Sequence, residues 1–312
     1  MSTMPSKVRI VEVGPRDGLQ NEKTPVAVAD IVTFIQKLRD AGLQSIEGGA
    51  FVSAKWVPQM ANTDKVLDAL EDKNGIVVLV PNEKGMQAAI DAGVKEVAVF
   101  AAASEGFSQK NINCSIDESL ERFKPVMDMA KKHGVKVRGY VSCVLGCPYD
   151  GDIAPAAVAE VTKKLYDMGC YEVSLGDTIG TGTPDTTRAM LQEVKKHVLV
   201  DALAVHFHDT HDRAIDNIRV ALEEGVSVVD SAASGLGGCP YAEGATGNVD
   251  TLKVLALMEE LKIETGVDAA KLKEAGRFIR SVLQKPAMLS GPSHPKNAMG
   301  WIFMAFWGAQ GF

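Results

Sequence analysis

Two histidines, His206 and His208, lie two positions apart in the segment LAVHFHD, which is predicted to be a β-strand. Side chains two apart on a strand point to the same face. Two imidazoles side by side at a strand end are suited to binding a divalent metal ion. The alternative is a pair of structural polar residues that bind nothing.

Asp17 and Asn248 are candidates to complete such a site. Asp17 directly follows the first predicted strand, in GPRDGLQNE, and Asn248 lies near the start of the helix after the eighth. In a closed barrel the first and eighth strands are neighbours, so Asp17 can approach the histidines of the seventh. Nitrogen and oxygen ligands without a thiolate favour Mg²⁺ or Mn²⁺ over a structural zinc. Taken alone, Asn248 is typical of a helix N-cap.

Three further charged residues lie at predicted strand ends. Arg16, next to Asp17, could place a fixed cation where an oxyanion or enolate develops, or form a local ion pair, which adjacent residues make poorly. Glu47 occupies an inward position among small and apolar residues, so it needs a partner, and Arg16 on the neighbouring strand is the expected one. Asp177 precedes a Gly/Thr-rich loop and is either a turn or N-cap residue or orients a ligand.

Cysteine usage separates one thiol from the others. The five cysteines are an odd number without zinc-site spacing, which indicates a reducing cytoplasm. Cys143 and Cys147, four apart, are predicted to be structural. Cys239 instead lies in SGLGGCPYAEGATGN, among glycines with almost no apolar company. Glycines permit unusual backbone conformations, so we expect this loop to close over a substrate.

Short β-branched runs alternate with amphipathic stretches along the whole chain, which predicts eight strand–helix units. The predicted strands are 8–13, 45–51, 75–80, 96–102, 136–143, 171–177, 203–209 and 226–232. An open doubly wound sheet and a closed (β/α)₈ (TIM) barrel are both compatible with this pattern. The candidate residues follow several different strands, as in TIM barrels, which favours the barrel.

We therefore predict a single TIM-barrel domain over residues 1–312. The barrel is expected to span about residues 8–265, and the C-terminal extension about 266–312, with one additional helix near 268–282 and an apolar tail. The tail, WIFMAFWGAQGF, is too short to cross a bilayer and is expected to form an oligomer interface or a lid.

Composition excludes several classes of function. The net charge is −7 and no Lys/Arg-rich run occurs, which argues against a nucleic-acid partner. The N-terminus has no stretch typical of a signal peptide, and no segment is predicted to span a membrane. Together with the cysteine usage, these features predict a soluble globular protein of the cytoplasm.

Seven motifs together resemble the 3-hydroxy-3-methylglutaryl-CoA (HMG-CoA) lyase family of DRE-TIM metallolyases. They are VEVGPRDGLQNE, FVSAKWVPQM, KNINCSI, GYVSCVLGCPYDG, SLGDTIGTGTP, VHFHDT and GLGGCPYAEGATGNV, and the likeness extends from residue 8 to about 282. The resemblance implies a TIM barrel that cleaves HMG-CoA to acetyl-CoA and acetoacetate by a retro-Claisen reaction. It also implies a divalent metal, Mg²⁺ or Mn²⁺, and a homodimer or higher homo-oligomer.

The resemblance also assigns roles to residues of this chain. It implies a metal site and a set of groups around the reacting atoms. The implied metal ligands are Asp17, His206, His208 and Asn248; the implied catalytic residues are Arg16, Glu47, Asp177 and Cys239; the implied substrate-binding residues are Arg16, Gln20 and Ser174. Arg16 would stabilise the thioester enolate, and Cys239 would protonate it. The base that deprotonates the substrate hydroxyl is left open between Asp17, His206 and a metal-bound water.

Two departures from the family pattern concern the substrate. Gly48-Gly49-Ala50 follows Glu47 where a hydroxyl residue is common, and Ala54 replaces a usual proline. A related lyase acting on another branched 3-hydroxyacyl-CoA is therefore one alternative. A Claisen-condensing synthase of the isopropylmalate or citramalate type and a catalytically idle metal- or acyl-CoA-binding paralogue are the others.

Overall fold

Eight parallel strands form a closed barrel in the computed structural model, which describes residues 4–237 and 247–284. The strands are β1 Arg9–Glu12, β2 Ser45–Ala50, β3 Ile76–Leu79, β4 Glu96–Ala102, β5 Lys136–Ser142, β6 Glu172–Asp177, β7 Leu203–Phe207 and β8 Val228–Ser231. Each pairs with the next, and β8 pairs with β1 in register Arg9↔Val228. The predicted (β/α)₈ barrel is confirmed, and the open sheet is wrong because the first and last strands are hydrogen-bonded.

Helices follow the strands around the barrel. Those in the described part of the chain are α1 Val28–Asp40, α2 Thr63–Ala69, α3 Glu83–Asp91, α4 Glu105–Ile112, α5 Ile116–His133, α6 Pro155–Asp167, α7 Pro184–Val194, α8 Ala214–Glu223, α9 Thr251–Glu260 and α10 Ala269–Gln284. A π-helical turn, Gly14–Gly18, follows β1, and a 3₁₀ turn, Ala233–Gly235, follows β8. None of the described helices is long and apolar enough to cross a bilayer.

The local sequence explains these elements. All four residues of β3, IVVL, are buried, as expected for a parallel strand covered on both faces. In α5 a capping box between Ser115 and Glu118 starts the helix, and Gly134 ends it in the left-handed region at φ 65°. Every predicted strand agrees with the observed strand to within two residues at each end.

The additional C-terminal helix, α10, supports the loop after β8. Arg280 donates a hydrogen bond to the carbonyl oxygen of Ser234 at 2.6 Å. A Cβ atom on Gly276 would lie 2.3 Å from Ser234 Oγ, so only glycine permits this close approach. The helix therefore fixes the 3₁₀ turn from which the cysteine-containing segment departs.

The barrel interior contains ion pairs where TIM barrels usually have apolar layers. Arg138 of β5 is fully buried; its Nε donates to Glu172 Oε1 at 2.7 Å, and its two terminal nitrogens donate to Asp230 at 2.7 and 3.0 Å. Arg9 also pairs with Glu172. Buried charges persist only when paired in this way, so these partners constrain the strands that carry them.

Candidate metal centre at the barrel mouth

Asp17, His206 and His208 converge at the carboxyl ends of the strands. Asp17 lies in the π-helical turn after β1, His206 in β7, and His208 one residue beyond it. One potential ligand atom from each lies within 4.8 Å of the other two. Asp17 Oδ2 is 3.9 Å from His206 Nε2, and the two imidazole rings are centred 5.4 Å apart. The geometry brings these candidate metal ligands together as barrel closure predicts.

Asn248 lies at the same site. Its amide nitrogen donates to Asp17 Oδ2 at 2.8 Å and to the carbonyl oxygen of Leu236 at 3.1 Å. A backbone bridge also links Asn248 to His208. The alternative that Asn248 caps the next helix is wrong, because Asp250 is the N-cap of α9 and accepts from the Leu252 amide at 2.9 Å. Asn248 is thus free of a capping role and touches a candidate ligand.

The charges of the site suit a cation. Burial alone would raise the pKa of Asp17, but Arg16 and the two imidazoles lower it to about 2. Burial lowers the pKa of His208 to about 4, with a contribution from His206. Burial also acts to lower the pKa of His206, but Asp230 and Asp17 raise it above its ordinary value. An ionised carboxylate and a neutral His208 imidazole at pH 7 are the forms in which these groups bind metals.

The donor set of the site fits a divalent metal. Asp17 offers a carboxylate oxygen, and His206 and His208 each offer a ring nitrogen, with one such atom from each residue within 4.8 Å of the others. A carboxylate with two imidazoles and no thiolate is a ligand set that divalent metals accept. The residues present therefore fit such an ion.

Arg16 is held between two carboxylates. Its Nε donates to Glu47 Oε2 at 2.8 Å, a second nitrogen lies 2.6 Å from the same oxygen, and a third donates to Asp17 Oδ1 at 2.5 Å. The expected pairing with Glu47 is present, and so is an ion pair between the adjacent residues Arg16 and Asp17. Burial opposes the charge, but Glu47 and Asp17 raise the pKa of Arg16. The guanidinium is a fixed cation beside the candidate metal site.

Glu47 connects this cation to the barrel interior. It lies in β2, is completely buried, and accepts a hydrogen bond on Oε1 from the Tyr140 hydroxyl at 2.8 Å. Arg138 in turn donates to the Tyr140 oxygen at 2.5 Å. The ion pairs of the interior and the candidate site are therefore parts of one network.

Asp177 closes the loop that follows β6. Its Oδ2 accepts from the Gly182 amide at 2.8 Å, whereas Oδ1 is buried and has no partner among residues 4–237 and 247–284. Burial raises the pKa of Asp177 to about 6. The turn interpretation is observed, and the N-cap alternative is wrong because Thr183 caps α7. The observed contacts of Asp177 are therefore those of the loop itself.

The other two predicted substrate-binding residues, Gln20 and Ser174, occupy different environments. Ser174 is completely buried, and its hydroxyl donates to Asp230 Oδ2 at 2.8 Å. This hydroxyl is therefore engaged within the barrel. Gln20 is half-buried, two residues beyond the π-helical turn. Only Gln20 lies with a partly exposed side chain beside the Arg16–Asp17 segment.

Glu12, which no sequence pattern singled out, joins the segments next to Asp17 and Asn248. Its Oε1 accepts from the amides of Gly14 and Ala233 at 2.9 and 2.8 Å, and its Oε2 accepts from the Thr251 hydroxyl at 2.9 Å. One carboxyl group thus joins the π-helical turn, the 3₁₀ turn after β8 and the start of α9. Burial raises its pKa to about 7 although these hydrogen bonds act to lower it.

Sequence reasoning also missed the buried ion network of the interior. Its members are Arg138, Tyr140, Glu172 and Asp230. The available signal was a charged residue inside an otherwise apolar strand, as in KVRGYVSC and VSVVDSA. The same reasoning that singled out Glu47 applies to them.

Three sequence predictions fall on other parts of the chain. Cys239 and the apolar tail lie outside the described residues. The ends of the cysteine segment are described, and the Gly247 amide donates to the Gly237 carbonyl at 2.8 Å, which brings the two ends together. Cys143 and Cys147 are both free thiols and buried.

The fold and the site define a class of protein: a (β/α)₈ barrel with an Asp–His–His cluster suited to a divalent metal at the C-terminal mouth. Residues 7–279 match the HMGL-like family, and the chain belongs to that family.

The chain is also similar to proteins named as lyases. It is 58% identical over 284 residues to the 3-hydroxy-3-isohexenylglutaryl-CoA/hydroxy-methylglutaryl-CoA lyase of Pseudomonas aeruginosa, covering 90% of this chain and 95% of that protein. It is 57% identical over 287 residues to the mitochondrial hydroxymethylglutaryl-CoA lyase of Bos taurus, covering 91% and 88%. The crystal structure of hydroxymethylglutaryl-CoA lyase from Pseudomonas aeruginosa superimposes with a TM-score of 0.88, at 57% identity, over 92% of this chain and 96% of that one.

Proposed function

We propose that this protein is a carbon–carbon lyase that cleaves HMG-CoA to acetyl-CoA and acetoacetate with the help of Mg²⁺ or Mn²⁺. The observation that carries the proposal is the convergence of Asp17, His206 and His208 within 4.8 Å, beside the buried Arg16 guanidinium. The similarity to lyases named for this substrate supports it over most of the chain.

Asp17, His206 and His208 would hold the metal, and Asn248 would supply the amide oxygen of the ligand set. When bound, a divalent metal lowers the pKa of a coordinated hydroxyl and polarises a neighbouring oxygen. Asp17 and the neutral imidazole of His208 provide the ligand forms required. Asp17 or His206 is the side-chain candidate for the base that removes the proton from the C3 hydroxyl.

Arg16 would stabilise the negative charge that develops when the carbon–carbon bond breaks. Its guanidinium is fixed by Glu47 on one side and Asp17 on the other, so no reorientation is needed as the thioester enolate forms. Gln20 would orient a substrate oxygen, and Asp177 would act by holding the loop after β6, as its hydrogen bond from the Gly182 amide supports. Ser174 would contribute indirectly, through the hydrogen bond that its hydroxyl donates to Asp230.

Cys239 would protonate the enolate carbon to give acetyl-CoA. A thiol with an ordinary pKa of about 8.5 is mostly protonated near neutrality and can act as a general acid. The assignment rests on the motif GLGGCPYAEGATGNV, which is typical of the family.

The experiment is release of acetoacetate from HMG-CoA by metal-depleted protein to which Mg²⁺ or Mn²⁺ is restored. We expect release only after the metal is added, and we expect D17N to abolish it. The matched control E259Q removes one carboxylate from the exposed face of α9 and should retain activity. Cleavage of another branched 3-hydroxyacyl-CoA without release from HMG-CoA would overturn the substrate assignment.

A longer substituent at C3 of the glutaryl group is the second candidate. The similar Pseudomonas aeruginosa protein is named for both the isohexenyl and the methyl substrate. In this chain Gly48, Gly49 and Ala50 follow Glu47, so the segment beside the site carries small side chains. Comparison of kcat/KM for the two substrates, in the native protein and in A50S, tests this candidate.

The compartment is proposed from the cysteines, and the oligomeric state from the resemblance to the family. Cys114, Cys143, Cys147 and Cys170 are free and buried, which supports the proposal that the protein works in the reducing cytoplasm. We also propose a homodimer or higher homo-oligomer with an acyl-CoA as its partner and no nucleic-acid or membrane partner. Light scattering of the purified chain measures its oligomeric state.

A further inference from the structure

The two ring nitrogens of His206 face different carboxylates. Nδ1 lies 3.3 Å from Asp230 Oδ2, while Nε2 lies on the other side of the ring, 3.9 Å from Asp17 Oδ2. A neutral imidazole carries one proton, so only one of these nitrogens can donate while the other keeps its lone pair. The neighbour of Nδ1 therefore decides whether Nε2 is able to bind a metal.

Asp230 cannot turn away from His206. It lies in β8 with its side chain completely buried, and both of its oxygens accept hydrogen bonds from other side chains. Arg138 donates to Oδ1 at 2.7 Å and to Oδ2 at 3.0 Å, and Ser174 donates to Oδ2 at 2.8 Å. Bidentate contact with a planar guanidinium fixes the plane of a carboxylate. The remaining capacity of Oδ2 is directed at the imidazole.

We propose that Asp230 is a positioning residue that accepts the Nδ1–H of His206 and so keeps the Nε2 lone pair facing Asp17 and the metal. The inference rests on the proposed metal-dependent function. An outer carboxylate of this kind fixes both the tautomer and the ring orientation of a metal-binding histidine, and its loss weakens metal affinity about 10- to 100-fold.

His208 is oriented differently, which gives the inference a built-in comparison. Its Nδ1 has no hydrogen-bond partner in the described part of the chain, and its backbone is fixed by Asn248 and by the Asp177 carbonyl at 3.3 Å. Loss of the Asp230 carboxylate should therefore change the tautomer of His206 and leave that of His208 as it is.

The first measurement needs no variant. The side-chain ¹⁵N signals of the six histidines in metal-free protein report the tautomer of each, and H206Q identifies the signals of His206. We expect His206 to be protonated on Nδ1 at pH 8. Protonation on Nε2 in the native protein overturns the inference, whether or not any variant folds.

The second measurement compares D230N with E172Q. Both remove a buried carboxylate that pairs with Arg138, but Glu172 bonds to Arg138 Nε at 2.7 Å and is not a partner of His206. In D230N the amide can donate to Nδ1, so we expect the Nε2–H tautomer and about 10- to 100-fold weaker Mn²⁺ binding by electron paramagnetic resonance. In E172Q we expect the native tautomer of His206 and a smaller loss of Mn²⁺ affinity than in D230N. An equal effect of both variants would mean that Asp230 is only a structural partner of Arg138.

The two hypotheses fail in different ways. If the native protein does not bind Mn²⁺, the proposed function is wrong, whatever the tautomer of His206. If it binds Mn²⁺ but D230N binds equally well with an unchanged tautomer, the role of Asp230 is wrong and the proposed function stands.

Discussion

Replacing Glu12 with glutamine should remove much of the pH dependence of folding stability near neutrality. Glu12 is completely buried and accepts hydrogen bonds from two backbone amides and from Thr251. Glutamine has nearly the same shape, and its oxygen can accept from the two amides while its nitrogen donates to the Thr251 hydroxyl. The substitution therefore removes the ionisation of this group with little change in packing.

The sign and size of the effect follow from the raised pKa. Burial raises the pKa of Glu12 from its ordinary value of 4.5 to about 7 in the folded protein. The folded state then holds the proton more tightly than the unfolded state does, so the stability contributed by the group is present below pH 4.5. It is lost as the pH rises through 7. One pKa unit corresponds to about 1.4 kcal/mol, so the loss is ~3 kcal/mol.

The assay is urea-induced unfolding of metal-free protein at fixed protein concentration between pH 4.5 and 8. We expect the unfolding free energy of the native protein, minus that of E12Q, to fall by ~3 kcal/mol across this range. E259Q, on the exposed face of α9, accounts for the loss of one negative charge. A difference that stays constant within about 0.5 kcal/mol, the usual scatter of surface substitutions, would refute the reasoning.

Three other predictions test the interior network and the candidate site. R138M leaves Glu172 and Asp230 without their buried cation, so the unfolding free energy measured in urea should fall by about 3–5 kcal/mol. R138K should not restore the bidentate contact. A loss of unfolding free energy below about 1 kcal/mol in R138M would contradict this. Burial raises the pKa of Asp177 to about 6, so kcat/KM of the native enzyme should rise with pH through about 6. This rise should be absent in D177N. If D177N keeps the rise, another group is responsible for it. C239S should reduce turnover by about 10²-fold or more with Mn²⁺ affinity nearly unchanged, and equal loss of both would mean a structural cysteine.

The sequence predicts the fold because each unit carries its own signals. Apolar runs such as IVVL in β3 have the length of a buried strand, and α5 has both a capping box and a terminal glycine. The order of the units then fixes which strands are neighbours. His206 and Asp17 could be placed at one mouth for this reason, although 189 residues separate them in the printed numbering.

Side-chain contacts across the barrel interior, which depend on strand register, could not be predicted in the same way. Arg138 and Asp230 are 92 residues apart, and their strands are not neighbours in the sheet, so their contact crosses the barrel interior. Sequence periodicity indicates that a side chain faces inward but not the level of the barrel at which it ends. For the same reason Asn248 could be mistaken for a helix cap when Asp250, two residues later, is the cap.

The ion pair between the adjacent residues Arg16 and Asp17 was not expected from sequence spacing, and the reason is local. Adjacent residues on a strand or in an α-helix diverge, but Arg16 and Asp17 lie in a π-helical turn. This wider turn places the guanidinium between Asp17 and Glu47. Such turns are frequent at functional sites and have no simple sequence pattern.

The charge balance of the connected network explains how one site could favour both a cation and an anionic substrate. Arg9, Arg16 and Arg138 face four carboxylates, those of Asp17, Glu47, Glu172 and Asp230. One excess negative charge therefore remains in the network. The ion pairs of the interior hold Asp17, Arg16 and His206 in place, and a divalent cation bound among them would change the balance to one excess positive charge. Under the proposed function, this balance would favour binding of the metal first and of an anionic substrate second.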